Sequence, residues 1–129
     1  MKMFSEEWVN ALAENLKKNE DFQKAGKGFD SSFQFKVLKD SKANVINDVG
    51  FGMWFPTCDP FWHGTKADKE VDIILEAKAG IFVEVFSGKK SVVMALTMGT
   101  IKLKKGQLTK LTANLGAVNQ FIKVAGAVT

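Results

Sequence analysis

Residues 80–106 constrain the fold more than any other part of the chain. They contain two apolar helical segments that are separated by Gly88, and a second glycine, Gly99, precedes a short strand in which Ile101 and Leu103 alternate with lysines. Because apolar side chains occupy almost every side of both helical segments, neither segment can lie on an ordinary wet surface. Polar groups suited to bond-making are nearly absent. This stretch therefore predicts an apolar interior rather than a catalytic centre.

The length and the cysteine usage indicate the class of protein. The chain has 129 residues, which predicts a single domain over residues 1–129 with its own core. A single cysteine cannot form an internal disulfide and favours a reducing compartment. No apolar run approaches the roughly 20 residues of a membrane span, and the N-terminus lacks the apolar centre of a secretory signal. We therefore expect a cytoplasmic protein.

The positive charge comes from lysine alone. The net charge is +4, and the chain contains no arginine. Proteins that recognise nucleic acids generally use arginine for bidentate contacts with phosphate or guanine. The lysines are also spread along the chain and interleaved with acidic residues. We therefore expect no nucleic-acid partner, whereas a transient contact with an anionic membrane surface stays open.

Apolar periodicity predicts helices at both ends of the chain and strands between them. The first helix spans residues 5–18, and alternation predicts strands at 33–37, 44–49 and 71–76. A final helix after Gly106 carries one continuous apolar stripe. The stripe consists of Leu108, Leu111, Leu115, Val118 and Ile122. Helices that flank alternating strands predict an α+β fold with one sheet and one helical layer.

Cys58 and His63 form a polar cluster, with Asp59 between them, that could carry chemistry. A thiolate and an imidazole can act as a nucleophile pair or as two metal ligands. The chain contains no other cysteine or histidine, and the spacing matches no closed zinc pattern. We therefore expect no catalytic residue, no metal and no cofactor. An enzyme built on Cys58 and His63 remains an alternative.

Residues 50–66 concentrate large aromatic side chains in a stretch that is typical of a loop. Such side chains cannot all stay exposed without forming a patch prone to association. Three uses are open: ordinary core, the lining of an apolar pocket, and a contact with a second copy or with a membrane. The aromatic residues are Phe51, Trp54, Phe55, Phe61 and Trp62.

Several short features follow one another in the second half of the chain: Ser87-Gly88-Lys89, Ala95, Met98-Gly99, the strand at 100–104 and Gly106. In this order they resemble the sterol carrier protein 2 (SCP2) domain family, as in single-domain prokaryotic members. The similarity extends to the preceding strand and to the N-terminal helices, so it covers nearly the whole chain. Residues 50–66 depart from the family pattern, which usually has a shorter and more polar connection there.

The resemblance implies a fold and a function. The implied fold is a single mixed, mostly antiparallel sheet of about five strands, covered on one face by helices, with an apolar cavity between the layers. The implied function is non-enzymatic binding or carriage of a fatty acid, a fatty acyl-CoA or another lipid. The alternative is a homodimeric accessory module that associates through residues 50–66.

We predict that the cavity is lined by residues from the aromatic stretch, both apolar helices and the flanking strand and helix. Lys89 or Lys90 would meet a carboxylate or phosphate at the end of the ligand. The predicted ligand-binding residues are Phe51, Trp54, Phe55, Trp62, Phe82, Phe86, Met94, Met98, Leu103 and Leu115.

Overall fold

The computed structural model describes residues 1–128 as a five-stranded sheet with helices against one face. The helices are α1 (Glu6–Lys18), α2 (Glu20–Ala25), α3 (Ala79–Phe86), α4 (Val92–Met98), α5 (Leu108–Thr112) and α6 (Leu115–Ala127). The strands are β1 (Ser31–Leu38), β2 (Val49–Phe55), β3 (Phe61–His63), β4 (Ile73–Lys78) and β5 (Lys102–Lys105).

The sheet is mixed and mostly antiparallel. Its strand order is β3-β2-β1-β4-β5, and the central strand β1 runs antiparallel to β2 and parallel to β4. The pairs β2–β3 and β4–β5 are antiparallel. The predicted fold class is confirmed. Within residues 1–128, no helix has both the length and the apolar character that crossing a bilayer requires.

Helix α1 shows why the N-terminal segment folds as the sequence predicts. The Ser5 side chain accepts a hydrogen bond of 3.2 Å from the backbone N–H of Trp8, which caps the first turn. Two glutamates lie in the first turn and two lysines in the last, which complements the helix dipole. Trp8, Leu12 and Leu16 have no exposed surface and fix the helix to the core.

The inner face of the sheet is an aromatic layer. The rings of Phe33 and Phe55 stack with centroids 4.4 Å apart, and those of Phe35 and Phe51 with centroids 4.8 Å apart. Phe121 of α6 lies 5.3 Å from Phe35, so it joins the helical layer to the sheet. These stacked pairs stabilise the layer beyond the effect of area burial alone.

Helices α3 and α6 approach each other through their backbones. A Cβ atom at Gly126 would overlap the carbonyl oxygen of Phe86, so only glycine allows this distance. The two helices therefore cannot slide or separate at this point without losing a tightly packed contact.

A segment that we call the outer strap, residues 64–70, covers the opposite face of the sheet. Gln34 points to this face, yet it has no exposed surface. Its Oε1 accepts hydrogen bonds from Trp62 Nε1 at 3.1 Å and from the Lys66 backbone N–H at 2.7 Å. Its Nε2 donates to the Lys66 carbonyl at 3.0 Å. One buried amide therefore holds both Trp62 and the strap.

Glycines in β2 make room for this covering. Gln34, Gly52 and Trp62 lie in one row across three strands, and a Cβ atom at Gly52 would overlap the Trp62 ring. The Trp62 side chain of β3 can therefore cross β2 and reach Gln34 of β1. At the end of the strap, Lys36 and Asp68 form an ion pair of 3.0 Å.

The predicted strand at 44–49 is wrong, and so is the prediction that 50–66 is a loop. Asp40 and Val45 form a bridge around a short 3-10 helix, Ser41–Ala43, and Asn44 has φ 61°, so the chain turns back here. The strand begins at Val49, and β2 and β3 form a hairpin through most of the aromatic stretch. Two glycines in β2 weaken the strand pattern, which explains the error.

The predicted C-terminal helix is interrupted. Helix α5 ends at Thr112, and Asn114, which precedes α6, has the non-helical angles φ −122° and ψ 32°. The Asn114 Nδ2 donates a hydrogen bond of 2.7 Å to the Lys110 carbonyl, which bridges the two helices. Gly116 lies inside α6. The apolar stripe nevertheless continues across the junction.

Candidate functional site

An apolar cavity of about 70 Å³ lies between the sheet and the helical layer. Its wall is formed by β1, β2, β4, the residue before β5 and helices α3 to α6. The lining residues are Phe33, Phe35, Phe55, Leu75, Phe82, Val85, Phe86, Val92, Val93, Leu96, Thr97, Ile101, Leu108, Leu111, Thr112, Leu115, Val118, Phe121 and Ile122.

The sheet side of the cavity is aromatic because alternate residues of a strand point to the same face. Phe33 and Phe35 of β1 point inward with Phe55 of β2, and the three are almost fully buried. Leu75 of β4 pairs with Phe35 in the parallel register and extends the wall. The strand alternation thus produces a smooth apolar surface without a hydrogen-bonding group.

The helical side combines α4 with the stripe of α5 and α6. All five residues of the predicted stripe line the cavity, so the 3-4-3-4 spacing did identify one face even though the helix is interrupted. Helix α4 contributes Val92, Val93, Leu96 and Thr97. This helix is short, and its only firmly buried residues are Val92 and Ala95, so it is weakly anchored, as is α5, whose one buried residue is Leu111.

The mouth of the cavity lies where α4 faces α5. Leu108 lines the cavity and is 44% exposed, and Thr97 and Thr112 also line it from exposed positions. Two methionines of α4, Met94 and Met98, are 56% and 71% exposed on the solvent side of the same helix. The mouth is therefore surrounded by apolar surface.

Four of the ten predicted ligand-binding residues line the cavity. They are Phe55, Phe82, Phe86 and Leu115. Phe82 and Phe86 are one turn apart on α3, with ring centroids 5.9 Å apart, and they form one side wall. Leu115 begins α6 within the stripe.

The other six residues lie away from the cavity for identifiable reasons. Phe51 is fully buried against Trp8, with ring centroids 5.3 Å apart, and Trp54 donates a hydrogen bond of 2.7 Å to Asp30. Trp62 covers the outer face of the sheet through its bond to Gln34. Met94, Met98 and Leu103 also do not line the cavity: the methionines project into solvent, and Leu103 lies half-buried on the edge strand β5.

The lysines that were expected to meet a charged ligand end are remote from the mouth. Lys89 and Lys90 precede α4, whereas Thr97 marks the mouth near the other end of that helix. Lys90 also forms an ion pair of 3.6 Å with Glu84. The geometry therefore does not bring either lysine to the cavity.

Cys58 and His63 do not form a reactive pair. The Cys58 thiol is buried and donates a weak hydrogen bond of 3.6 Å to the Pro56 carbonyl, and burial raises the pKa of this thiol to about 12. A thiol that keeps its proton is a poor nucleophile. The His63 Nε2 donates to the Phe4 carbonyl at 3.0 Å. Across residues 1–128, no cluster of three metal-ligating side chains occurs.

The aromatic side chains of residues 50–66 do not form an exposed patch. Phe51 and Phe55 are buried in the inner layer, and Trp54, Phe61 and Trp62 are half-buried. Lys17 lies over the Phe61 ring at 5.3 Å and Lys66 over the Trp62 ring at 4.6 Å, which covers part of both. Most of this aromatic surface is thus already used within the chain.

Residues that the sequence analysis missed make up most of the cavity wall. Phe33 and Phe35 alternate with polar residues in the predicted strand at 33–37, and the stripe residues form one face of the predicted helix. The signal was therefore present, because the buried faces of facing elements must meet. Leu96, Thr97 and Phe121 had no comparable pattern of their own.

Solved structures provide the comparison with known proteins. A crystal structure of sterol carrier protein 2 is 28% identical, covers 98% of each chain and has a TM-score of 0.85. The solution structure of a conserved hypothetical protein from Thermus thermophilus, described as a candidate sterol carrier protein, is 28% identical with a TM-score of 0.84. It covers 100% of this chain and 91% of that chain.

More distant structures share the fold. Sterol carrier protein 2 of Aedes aegypti, solved in complex with palmitate, is 13% identical with a TM-score of 0.60, and the match covers 96% of this chain and 98% of that chain. No protein-family model and no curated protein matches the chain. The sheet order, the helical layer and the two near-complete matches agree with the resemblance found in the sequence. The chain is an SCP2-like domain.

Proposed function

We propose that this chain acts as one lipid-binding domain that holds and carries a hydrophobic ligand in the cavity between the sheet and the helices. The observation that carries this proposal is an apolar cavity without a catalytic group in its wall. The likeness to sterol carrier protein 2 and the palmitate complex of a distant neighbour support it. Long-chain lipids are the natural occupants, because the wall offers dispersion contacts and almost no hydrogen bonds.

The cavity must widen when a long chain enters. One water-sized sphere takes about 10–15 Å³, so a volume of about 70 Å³ holds roughly five such groups. Five buried methylenes contribute about 4 kcal/mol, which corresponds to millimolar binding. A chain of twelve methylenes contributes about 10 kcal/mol before entropic costs. Tight binding therefore requires that part of the wall moves outward.

Helix α4 is a part of the wall that is suited to move. Glycines with positive φ flank it, Gly88 at 82° and Gly99 at 81°. Its exposed residues outnumber its buried ones, and its burial rests on Val92 and Ala95. Outward movement would open the mouth beside Leu108 and expose more apolar surface. A transient contact of this surface with a membrane would then allow exchange of the ligand.

Native mass spectrometry followed by solvent extraction tests the proposal directly. We expect a lipid at near one per chain, either retained from the producing cell or taken up from added dodecan-1-ol. An empty protein that binds no long-chain compound would overturn the carrier function.

A pair of variants on α4 links binding to the cavity. Leu96→Trp places an indole in the cavity wall, whereas Met94→Trp places the same ring on the exposed side of the same helix. We expect Leu96→Trp to lower ligand occupancy at least tenfold and Met94→Trp to leave it within twofold, because only the first fills the binding space. Equal losses in both variants would show that the ligand is bound elsewhere.

A further inference from the structure

The helices around the cavity carry very few ionisable side chains. Helix α4 has none, α3 has only Glu84, α5 has only Lys110 and α6 has only Lys123. None of the chain's eighteen lysines, all of which fall within residues 1–128, lines the cavity. This is unexpected for a protein of net charge +4 that would bind an anionic lipid.

Each of these ionisable groups lies outside the cavity wall. Glu84 pairs with Lys90 at 3.6 Å. Lys110 donates to the Ser31 hydroxyl and lies 5.9 Å from the Phe29 ring. Lys123 lies in a separate groove between α6 and the α1–α2 region. The charges of the helical layer are therefore not available to a ligand end inside the cavity.

The charged side chains of the sheet point to its other face. In β1, Lys36 pairs with Asp68 of the outer strap. In β4, Glu76 pairs with Lys102 of β5, next to the inward-pointing pair of Leu75 and Leu103. Because alternate residues of a strand point to opposite faces, Glu76 and Lys102 point outward. Lys105 donates a hydrogen bond of 2.7 Å to the Asp68 carbonyl of the strap. The sheet wall of the cavity thus lacks charge within the described part of the chain.

The two polar side chains of the cavity wall have already used their protons. The Thr97 hydroxyl donates to the Val93 carbonyl at 2.8 Å, and the Thr112 hydroxyl donates to the Thr109 carbonyl at 3.2 Å. A hydroxyl has one proton and two lone pairs, so both threonines offer only acceptor sites to a ligand. An ionised carboxylate also offers only acceptors, so it cannot form a hydrogen bond with either threonine hydroxyl.

We propose that the cavity selects lipids with an uncharged end, such as a long-chain alcohol or an ester, over ionised fatty acids of equal length. This inference rests on the proposed lipid-binding function. An alcohol O–H can donate to Thr97 or Thr112, whereas a carboxylate at the apolar mouth loses water without gaining a partner. Protonation removes this disadvantage, so a fatty acid binds better as the pH falls.

Three ligands with the same twelve-carbon tail test the inference. Dodecan-1-ol, dodecanoate and dodecylammonium compete with the uncharged dye Nile red for the purified full chain at pH 8 and pH 5. We expect dodecan-1-ol to bind at least tenfold more tightly than dodecanoate at pH 8. The difference should shrink at pH 5, while the affinity for dodecan-1-ol stays constant.

A matched pair of charge additions locates the effect. Thr112→Lys adds a cation at the mouth, and Thr109→Lys adds the same charge to an exposed position of α5 that does not line the cavity. We expect Thr112→Lys to improve dodecanoate binding about tenfold, and Thr109→Lys to change it less than twofold. An equal gain in both would mean that overall charge, and not the mouth, governs the preference.

The possible outcomes separate the inference from the function on which it rests. Dodecanoate and dodecan-1-ol of equal affinity at pH 8 would overturn the selectivity and leave the carrier function intact. Failure of Nile red and all three ligands to bind would overturn the carrier function and the selectivity together.

Discussion

Replacement of Gln34 tests whether the two faces of the sheet act independently. Gln34→Met keeps the volume of the side chain and removes three hydrogen bonds, two to its Oε1 and one from its Nε2. At about 0.5–1.5 kcal/mol each, their loss should lower the free energy of unfolding by about 1.5–4.5 kcal/mol. Because Gln34 lies on the outer face, ligand affinity should stay within twofold of the wild type.

A double-mutant cycle isolates the contact between Gln34 and Trp62. Trp62→Phe removes the indole N–H, and the coupling energy with Gln34→Met should be about 0.5–1.5 kcal/mol, the value of one hydrogen bond. Urea unfolding followed by circular dichroism supplies the free energies, since tryptophan fluorescence itself changes in these variants.

Two results would refute this reasoning. A loss below about 0.5 kcal/mol for Gln34→Met would show that the outer strap is held by other contacts. A large loss of ligand affinity in Trp62→Phe, with the fold intact, would place Trp62 in the ligand site, as the sequence had suggested.

Further predictions concern two glycines and the buried thiol. Gly52→Ala should destabilise the protein by about 1–3 kcal/mol, because its Cβ would overlap the Trp62 ring and the Phe33 carbonyl. Gly116→Ala should stabilise it by up to about 1 kcal/mol, because a Cβ there meets only Ala25 at 3.7 Å; urea unfolding measures both. The Cys58 thiol should react with a maleimide far more slowly in the native protein than in urea at pH 8, and equal rates would contradict its burial. Because burial raises its pKa from 9.0 to about 12, stability should fall as the pH rises between these values, and Cys58→Ala should weaken that dependence.

The helical layer and much of the cavity wall were predictable from the sequence. The stripe from Leu108 to Ile122 identifies a helix face by spacing alone, and the alternation of Phe33 and Phe35 identifies the facing strand. Apolar faces on two elements of one small domain must pack together. The two patterns therefore predict the residues that face each other across the cavity. The glycine junctions at Gly88 and Gly99 likewise mark the ends of α3 and α4.

The aromatic residues show what the sequence could not provide. Composition marks Phe51, Phe55 and Trp62 alike as large and apolar, and only strand register decides which face each one occupies. A shift of one residue in register would exchange the faces. Gly50 and Gly52 also obscured the strand pattern, because they allow the close approach of residues that lie ten or more positions away. The covering of Gln34 by Trp62 depends on this long-range contact and has no local signal.

The backbone contact between α3 and α6 at Gly126 sets a limit on ligand length. Phe86 forms part of the cavity wall, and this contact holds the end of its helix in place, so the cavity cannot lengthen in that direction. We therefore expect space for a longer tail to be gained on the side of α4. Affinity should therefore rise by a constant factor for each added methylene until the tail reaches Phe86, and then stop rising. The protein would thus discriminate among ligands by the length of their tails.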